Sequence, residues 1–394
     1  MSKQIVFCAD GTWNGPGSPE EASTSDIDSA AQKDSDIRDG FTNVIKLFAN
    51  LSGQTTAETQ ELHNETEKVF KAAGGAPLQV AKYIHGVGDS TNPVMKVLGG
   101  VFGAGVIARI VRGYTFISRN YVAGDSIHII GFSRGAYTAR ALAGMIANVG
   151  LLDPTKYDPN NKSQAYLRGL GAWFKAKGLV FQGKSELSSL LTTISNLAGE
   201  AVARMTLKDG DLIPGVRLAS VGVWDTVGSM GIPTYVKGQR NDFFSFVSQT
   251  LSPLIDHGFH AMALDERRLD FPITRWDTDP RVEQMWFVGA HSDVGGGYPL
   301  NQSGLSDIAL DWMMQKLASA GVQFVTPPSH APDLTQFGQD FHTPWSKPPF
   351  NIDPRARVPQ PGDAFHPSVI GHWKASPAYQ KLWPKQVPGC VLTP

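Results

Sequence analysis

Runs of apolar and β-branched residues recur at 4–9, 80–85, 126–130, 216–224 and 284–290, each the length of one buried strand. Between and after them, apolar positions return with helical spacing, which predicts helices over 41–51, 101–120, 134–148, 185–206, 241–267 and 305–319. Strands alternating with helices imply an α/β architecture, with a mostly parallel central sheet flanked by helices on both faces. Residues 15–39 are rich in Ser, Asp, Glu and Gly and read as a solvated loop. Residues 151–210 hold no strong strand and read as a helical insertion between core strands, a candidate lid. From 327 onward the chain carries 14 of its 26 prolines, so this tail is expected to lie extended or looped over the core rather than form a helical domain. The whole span 1–394 reads as one domain, with the insertion 151–210 inside it and the tail 327–394 packed on it.

Composition narrows the classes. A hydrophobic fraction of 41% with 18% charged residues is globular, and a formal net charge of −1 argues against nucleic acid as a partner. The two cysteines, Cys8 and Cys390, form neither a disulfide framework nor a zinc-ligand spacing, so no metal and no cofactor are expected. The start, MSKQIVFCADGTW, lacks the apolar core of a signal peptide. The most membrane-like stretch, 94–117, has only twelve uncharged residues between Lys96 and Arg109, short of the ~20 a spanning helix needs. It is expected to be a glycine-faced helix packed closely on the sheet. The chain is therefore expected in the cytoplasm as synthesised.

The stretch HIIGFSRGAYTARAL, 128–142, places a serine between two glycines where a strand runs into a small-residue helix. Gly-x-Ser-x-Gly in that context is a nucleophile elbow, and Ser133 is the candidate nucleophile. The bland alternative is a plain strand-to-helix turn. A serine needs a base, and the base an orienting acid, each at the carboxyl end of a later strand. VRLASVGVWDTVG ends at Asp225 and VEQMWFVGAHSDVGGGY at His291, so Asp225 is the candidate acid and His291 the candidate base. Asp293 competes as an alternative acid, and Asp225 could instead cap a helix. Among rival histidines, His128 sits inside the strand before the elbow, His257 and His260 fall on a predicted helix, and His366 lies in the tail.

An oxyanion hole takes two backbone N–H groups. One is expected from Arg134, the other from Gly11 or Thr12 in the loop after the first strand. An apolar substrate would need an apolar entry. Candidate substrate or membrane contacts are Trp173 and Phe174 in the insertion, and Phe243 and Phe244 in the 241–255 stretch, against the alternative of ordinary core packing.

The segments DGTWN (10–14), YIHGVGDS (83–90), the long block 99–146, VGVWDTVG (221–228), HAMALDERRLDF (260–271), QMWFVGAHSDVGGGYP (284–299), LSDIALDWMM (305–314) and HPSV (366–369) resemble the Tle1-like (DUF2235) family of type VI secretion phospholipase effectors and their relatives. The resemblance implies an α/β-hydrolase fold and ester hydrolysis at the sn-1 or sn-2 position of glycerophospholipids. It places the family triad on Ser133, Asp225 and His291. It further implies a phospholipid or other lipid ester as substrate, transient membrane contact, export by a type VI secretion system, and an immunity protein or secretion-system component as partner. Toxin members of the family are longer and carry a membrane-binding region, whereas this sequence starts at the first strand and ends soon after the catalytic pattern. A carboxylesterase or lipase acting on non-phospholipid esters is accordingly the alternative. A peptidase and a non-catalytic binding relative are more distant ones, since a triad alone does not specify the leaving group.

Overall fold

The computed structural model describes residues 2–11, 40–56, 65–85, 103–177, 205–208, 210–227, 248–269, 271–336, 338, 340–346 and 353–383, together with a short hairpin of Tyr235–Val236 and Gln239–Arg240. Nine strands form one sheet: β1 (Gln4–Ala9), β2 (Gln54–Thr55), β3 (Glu65–Lys71), β4 (Pro77–Ile84), β5 (Ser126–Phe132), β6 (Leu218–Trp224), β7 (Ile255–Ala263), β8 (Val282–Phe287) and β9 (Ala364–Phe365). Their order across the sheet is β9-β8-β7-β6-β5-β1-β4-β3-β2. Every neighbouring pair from β9 to β4 is parallel, and only the β4-β3 and β3-β2 pairs are antiparallel. The expected α/β architecture is what is observed.

Alternation along the central strands divides the core. Ile5, Phe7 and Ala9 of β1, with Ile127 and Ile129 of β5, face helices α2 (Gly103–Asn120), α3 (Arg134–Val149) and α4 (Lys162–Ala176). Val6, Cys8, Ile130 and Phe132 face the opposite layer, built from α1 (Asn43–Asn50) and α6 (Gly304–Ser319). Both faces are buried, which is why these strands read as unbroken apolar runs. The five-residue helix α5 (His291–Gly295) follows β8 and is tied to α1 and α6 through Asn43, whose Nδ2 donates to the carbonyls of Val294 and Ser306.

Several expectations are corrected. Residues 255–263 are the strand β7, not part of a helix over 241–267, and 241–247 lie outside the described residues. A strand buried between two parallel neighbours carries apolar residues on both faces, so periodicity cannot separate it from a helix. His257 and His260 therefore sit on a strand. β3 went unread because its sequence, ETEKVFK, is charged; its carboxylates are instead paired, Glu65 and Glu67 with Lys82, and Glu67 with Arg119. The expected helix at 185–206 falls almost wholly outside the described residues.

Within the 151–210 insertion, α4 is part of the core. Trp173 and Phe174 are 3% and 4% exposed and belong to the same cluster as Phe7 and Ile129. Their apolar surface is used against α2 and α3, so in this structure they are core residues and not a membrane-contact face. The described part of the tail supplies the edge strand β9 and two short helices, α7 (Pro367–Ala375) and α8 (Pro377–Leu382), which pack on Trp286 and Met262.

The two helices of the second layer are joined by a buried ion pair. Lys46 Nζ lies 2.9 Å from Asp307 Oδ1, and both side chains are about 95% covered. Removing one partner strands a buried charge. Asp307→Ala is expected to lower the unfolding free energy by about 3–5 kcal/mol, and Lys46→Met combined with Asp307→Leu to recover most of it, as read by urea denaturation.

Candidate active site

The site lies at the carboxyl ends of β1, β5, β6 and β8. Register sets its first two members side by side. Phe132 of β5 pairs with Trp224 of β6, so the next residues, Ser133 and Asp225, leave neighbouring strands at the same level. The Ser133 N–H donates to the Trp224 carbonyl at 3.2 Å, closing that junction.

Ser133 sits at φ 59° and ψ −124°, directly before the first turn of α3. A non-glycine residue held there stores on the order of 1–3 kcal/mol of strain, which only a tightly determined turn sustains. The flanking glycines show what determines it. A Cβ on Gly131 would lie 2.3 Å from the Gly135 carbonyl oxygen, and one on Gly135 would lie 2.1 Å from the Ala9 carbonyl oxygen. The elbow therefore packs backbone on backbone against β1, and the N-terminus of α3 points its partial positive charge at the serine.

Asp225 is fully buried, and its backbone also takes a positive φ, 37°. Oδ2 accepts from His291 Nδ1 at 2.6 Å, and Oδ1 accepts the Ala263 N–H at 2.9 Å. Arg357 completes the set with a forked contact, Nη1 to Oδ1 at 2.6 Å and Nη2 to Oδ2 at 3.1 Å. Burial pushes the carboxyl pKa up. Arg357 and the bond from His291 more than reverse this and hold it well below the usual carboxylate range.

His291 opens α5. Its backbone N–H donates to Glu266 Oε2 at 3.1 Å. Its ring lies between Phe132, at a centroid distance of 4.5 Å, and Phe271, edge-on at 5.0 Å. Burial lowers the imidazole pKa and Asp225 opposes it, leaving the group below its ordinary value and so neutral at pH 7. Its Nε2 is buried and has no hydrogen-bond partner among the described residues.

The loop after β1 is held by Asp10. Its carboxylate accepts the hydroxyls of Thr42 and Tyr83, each at 2.7 Å, and the Gly11 N–H at 2.7 Å. Gly11 lies against the elbow, where a Cβ would be 3.1 Å from the Ser133 Cβ. Its N–H is thus engaged by Asp10. Thr12, the other expected donor, lies outside the described residues, as do Phe243 and Phe244. Arg134 is the first residue of α3, next to Ser133.

Asp293 is turned elsewhere. It accepts the Ala290 N–H and both the backbone N–H and Nδ1 of His342, which fastens the tail to α5. His128 bridges Ser220 and Gln4 inside the sheet, His260 accepts the Thr226 N–H, and His366 caps α7. Sequence reasoning missed Arg357, Glu266 and the bracing role of Asp10. Arg357 is 132 residues from Asp225 in a Pro-rich stretch without periodicity, so no local pattern marks it.

A family model described as T6SS, Phospholipase effector Tle1-like, catalytic domain, matches residues 3–316. The chain is 26% identical over 287 residues to the uncharacterized protein YEL023C of Saccharomyces cerevisiae, covering 72% of this chain and 34% of that protein. Two solved structures are similar. One is the Tle1 effector bound to the VgrG spike from the Type 6 secretion system, at 20% identity and TM-score 0.37, covering 75% of this chain and 51% of that one. The other is an uncharacterized protein from Pseudomonas aeruginosa, at 15% identity and TM-score 0.39, covering 85% and 48%. The chain thus spans about a third of the length of its yeast relative and about half of each solved one. Because the family model runs from β1 into α6 without leaving the fold just described, the protein belongs to the Tle1-like family of T6SS phospholipase effector catalytic domains.

Proposed function

We propose that this protein is a serine hydrolase that cleaves carboxylic esters of lipids, acting as a phospholipase A. The observation that carries the reading is the strained Ser133 at the N-terminus of α3, one strand from a buried Asp225–His291 pair. His291 Nε2 takes the proton from Ser133 Oγ as that oxygen bonds to the acyl carbonyl carbon. The carbonyl oxygen gathers negative charge, held by the Arg134 N–H and by the loop after β1. In that loop the proposed second donor is Gly11, whose N–H here meets Asp10, or Thr12, which lies outside the described residues. Collapse of the tetrahedral species breaks the ester C–O bond, and His291 returns the proton to the leaving alcohol. Water then attacks the acyl-enzyme by the same route, releasing the fatty acid and restoring Ser133.

Asp225 keeps Nδ1 protonated, so that Nε2 is the basic nitrogen, and stabilises the imidazolium that forms transiently. Membership in a phospholipase effector family supports a lipid substrate, and export by a type VI secretion system, with a secretion component and an immunity protein as partners, is the matching biological reading. No helix among the described residues is long and apolar enough to cross a membrane.

Phospholipid vesicles whose sn-1 and sn-2 chains differ in mass test this directly. Wild type is expected to release one acid preferentially, and Ser133→Ala or His291→Ala to lose on the order of 10⁶ in kcat, with Asp225→Asn losing roughly 10⁴. Cleavage of short soluble esters through Ser133 without release from vesicles would move the function to a carboxylesterase. Undiminished hydrolysis by Ser133→Ala would remove the serine mechanism.

The pH profile follows from His291. Hydrolysis needs its neutral form, and its pKa is lowered by burial. The acidic limb of kcat/KM should therefore have its midpoint below the ordinary imidazole value of about 6.5. A midpoint clearly above that value on a soluble ester would assign the limb to another group.

A further inference from the structure

We propose that Arg357, supplied by the C-terminal tail, is a positioning residue of the active site, acting through Asp225 to hold the acid in the orientation and charge state the base requires. The inference rests on the triad reading above.

The tail is extended around this residue, and its neighbours Ala356 and Val358 face solvent, Val358 being 71% exposed. Arg357 turns the other way, with its side chain 8% exposed. The segment is pinned two residues earlier, where the Arg355 N–H donates to the Arg267 carbonyl at 2.9 Å. Besides the two bonds to Asp225, Nη1 donates to the Ala263 carbonyl at 2.7 Å and Nη2 to the Phe271 carbonyl at 2.8 Å. One planar guanidinium thus joins the acid, the end of β7 and the segment that packs Phe271 on the imidazole. Such a fork fixes the plane of a carboxylate, which a lysine ammonium cannot do.

Fixing that plane matters here. Asp225 leaves β6 with positive φ, a backbone state that side chains other than glycine resist. With Ala263 and His291, the fork gives each carboxylate oxygen two donors, so the Oδ2 lone pair facing His291 has one place to point.

The guanidinium also offsets part of the negative charge that stabilises imidazolium. The charged and titratable groups around His291 are Asp225, Glu266 and Arg268, with Arg357 behind Asp225. Asp293, on its own helix, is paired with His342. Deleting Arg357 removes a cation and leaves the others, so the His291 pKa rises and the acidic limb moves to higher pH. A residue that merely stapled the tail would lower stability without moving that limb.

The experiment compares wild type, Ser133→Ala, Arg357→Lys and Arg357→Ala on a short soluble ester across pH, with unfolding midpoints measured in parallel. Arg357→Ala is expected to lose at least about tenfold in kcat, below the roughly 10⁴-fold loss of the acid itself, with its limb shifted upward and its rate partly restored by methylguanidinium. Arg357→Lys should keep the wild-type limb and still lose rate. If Arg357→Ala does not fold, reduced kcat at unchanged limb in Arg357→Lys, with wild-type stability, carries the same meaning. Wild-type rates in both variants, or a loss in Arg357→Ala that leaves the limb unmoved and is not restored by methylguanidinium, would overturn the inference while an inert Ser133→Ala keeps the hydrolase reading. An active Ser133→Ala would instead remove that reading, whatever the arginine variants do.

Discussion

A carboxylate sealed from water must be compensated by donors around it, and the arrangement about Asp225 follows from that requirement. Among the described residues its four hydrogen bonds come from His291 on α5, the backbone of Ala263 at the end of β7, and both outer nitrogens of Arg357 in the tail. These donors belong to separate parts of the chain, and only the parallel sheet brings them to one end. Satisfying one buried charge therefore fixes the relative placement of β6, β7, the helix after β8 and the tail.

The serine is held by a different means. Its turn depends on the absence of two side chains, since β1, β5 and α3 approach one another backbone to backbone at Gly131 and Gly135. The elbow is thus set by steric exclusion and the Asp225–His291 pair by electrostatics. The two are joined by the register of β5 with β6 and by the Phe132 ring against His291.

How legible the molecule is in its sequence tracks how local each determinant is. The central strands announce themselves because both faces are buried, and the elbow because glycine spacing and a strand–helix boundary coincide. Asp225 and His291 stand where apolar runs break into small residues. The same double burial hid β7, whose sequence IDHGFHAMA places apolar residues on both faces and shows no strict alternation to distinguish it from a helix. β3 was hidden for the opposite reason, its carboxylates being matched by Lys82 on the neighbouring strand β4 and by Arg119 on α2. Trp173 and Phe174 suggested an interfacial face by composition alone, and only packing shows them to be core. Arg357 lies beyond the span that the family model matches, and its bonds to Asp225, Ala263 and Phe271 are all long-range in sequence.

That contact has a temporal side. A ribosome releases Ser133, Asp225 and His291 well before residue 357. During that interval Asp225 has emerged without the cation that most strongly favours its ionised form. Asp225 then faces burial with only a histidine and one amide as partners. The donor set around Asp225 cannot be complete until residue 357 has been made, because the same tail that adds β9 to the edge of β8 carries the arginine. The order of the chain thus imposes an order on the assembly of the site.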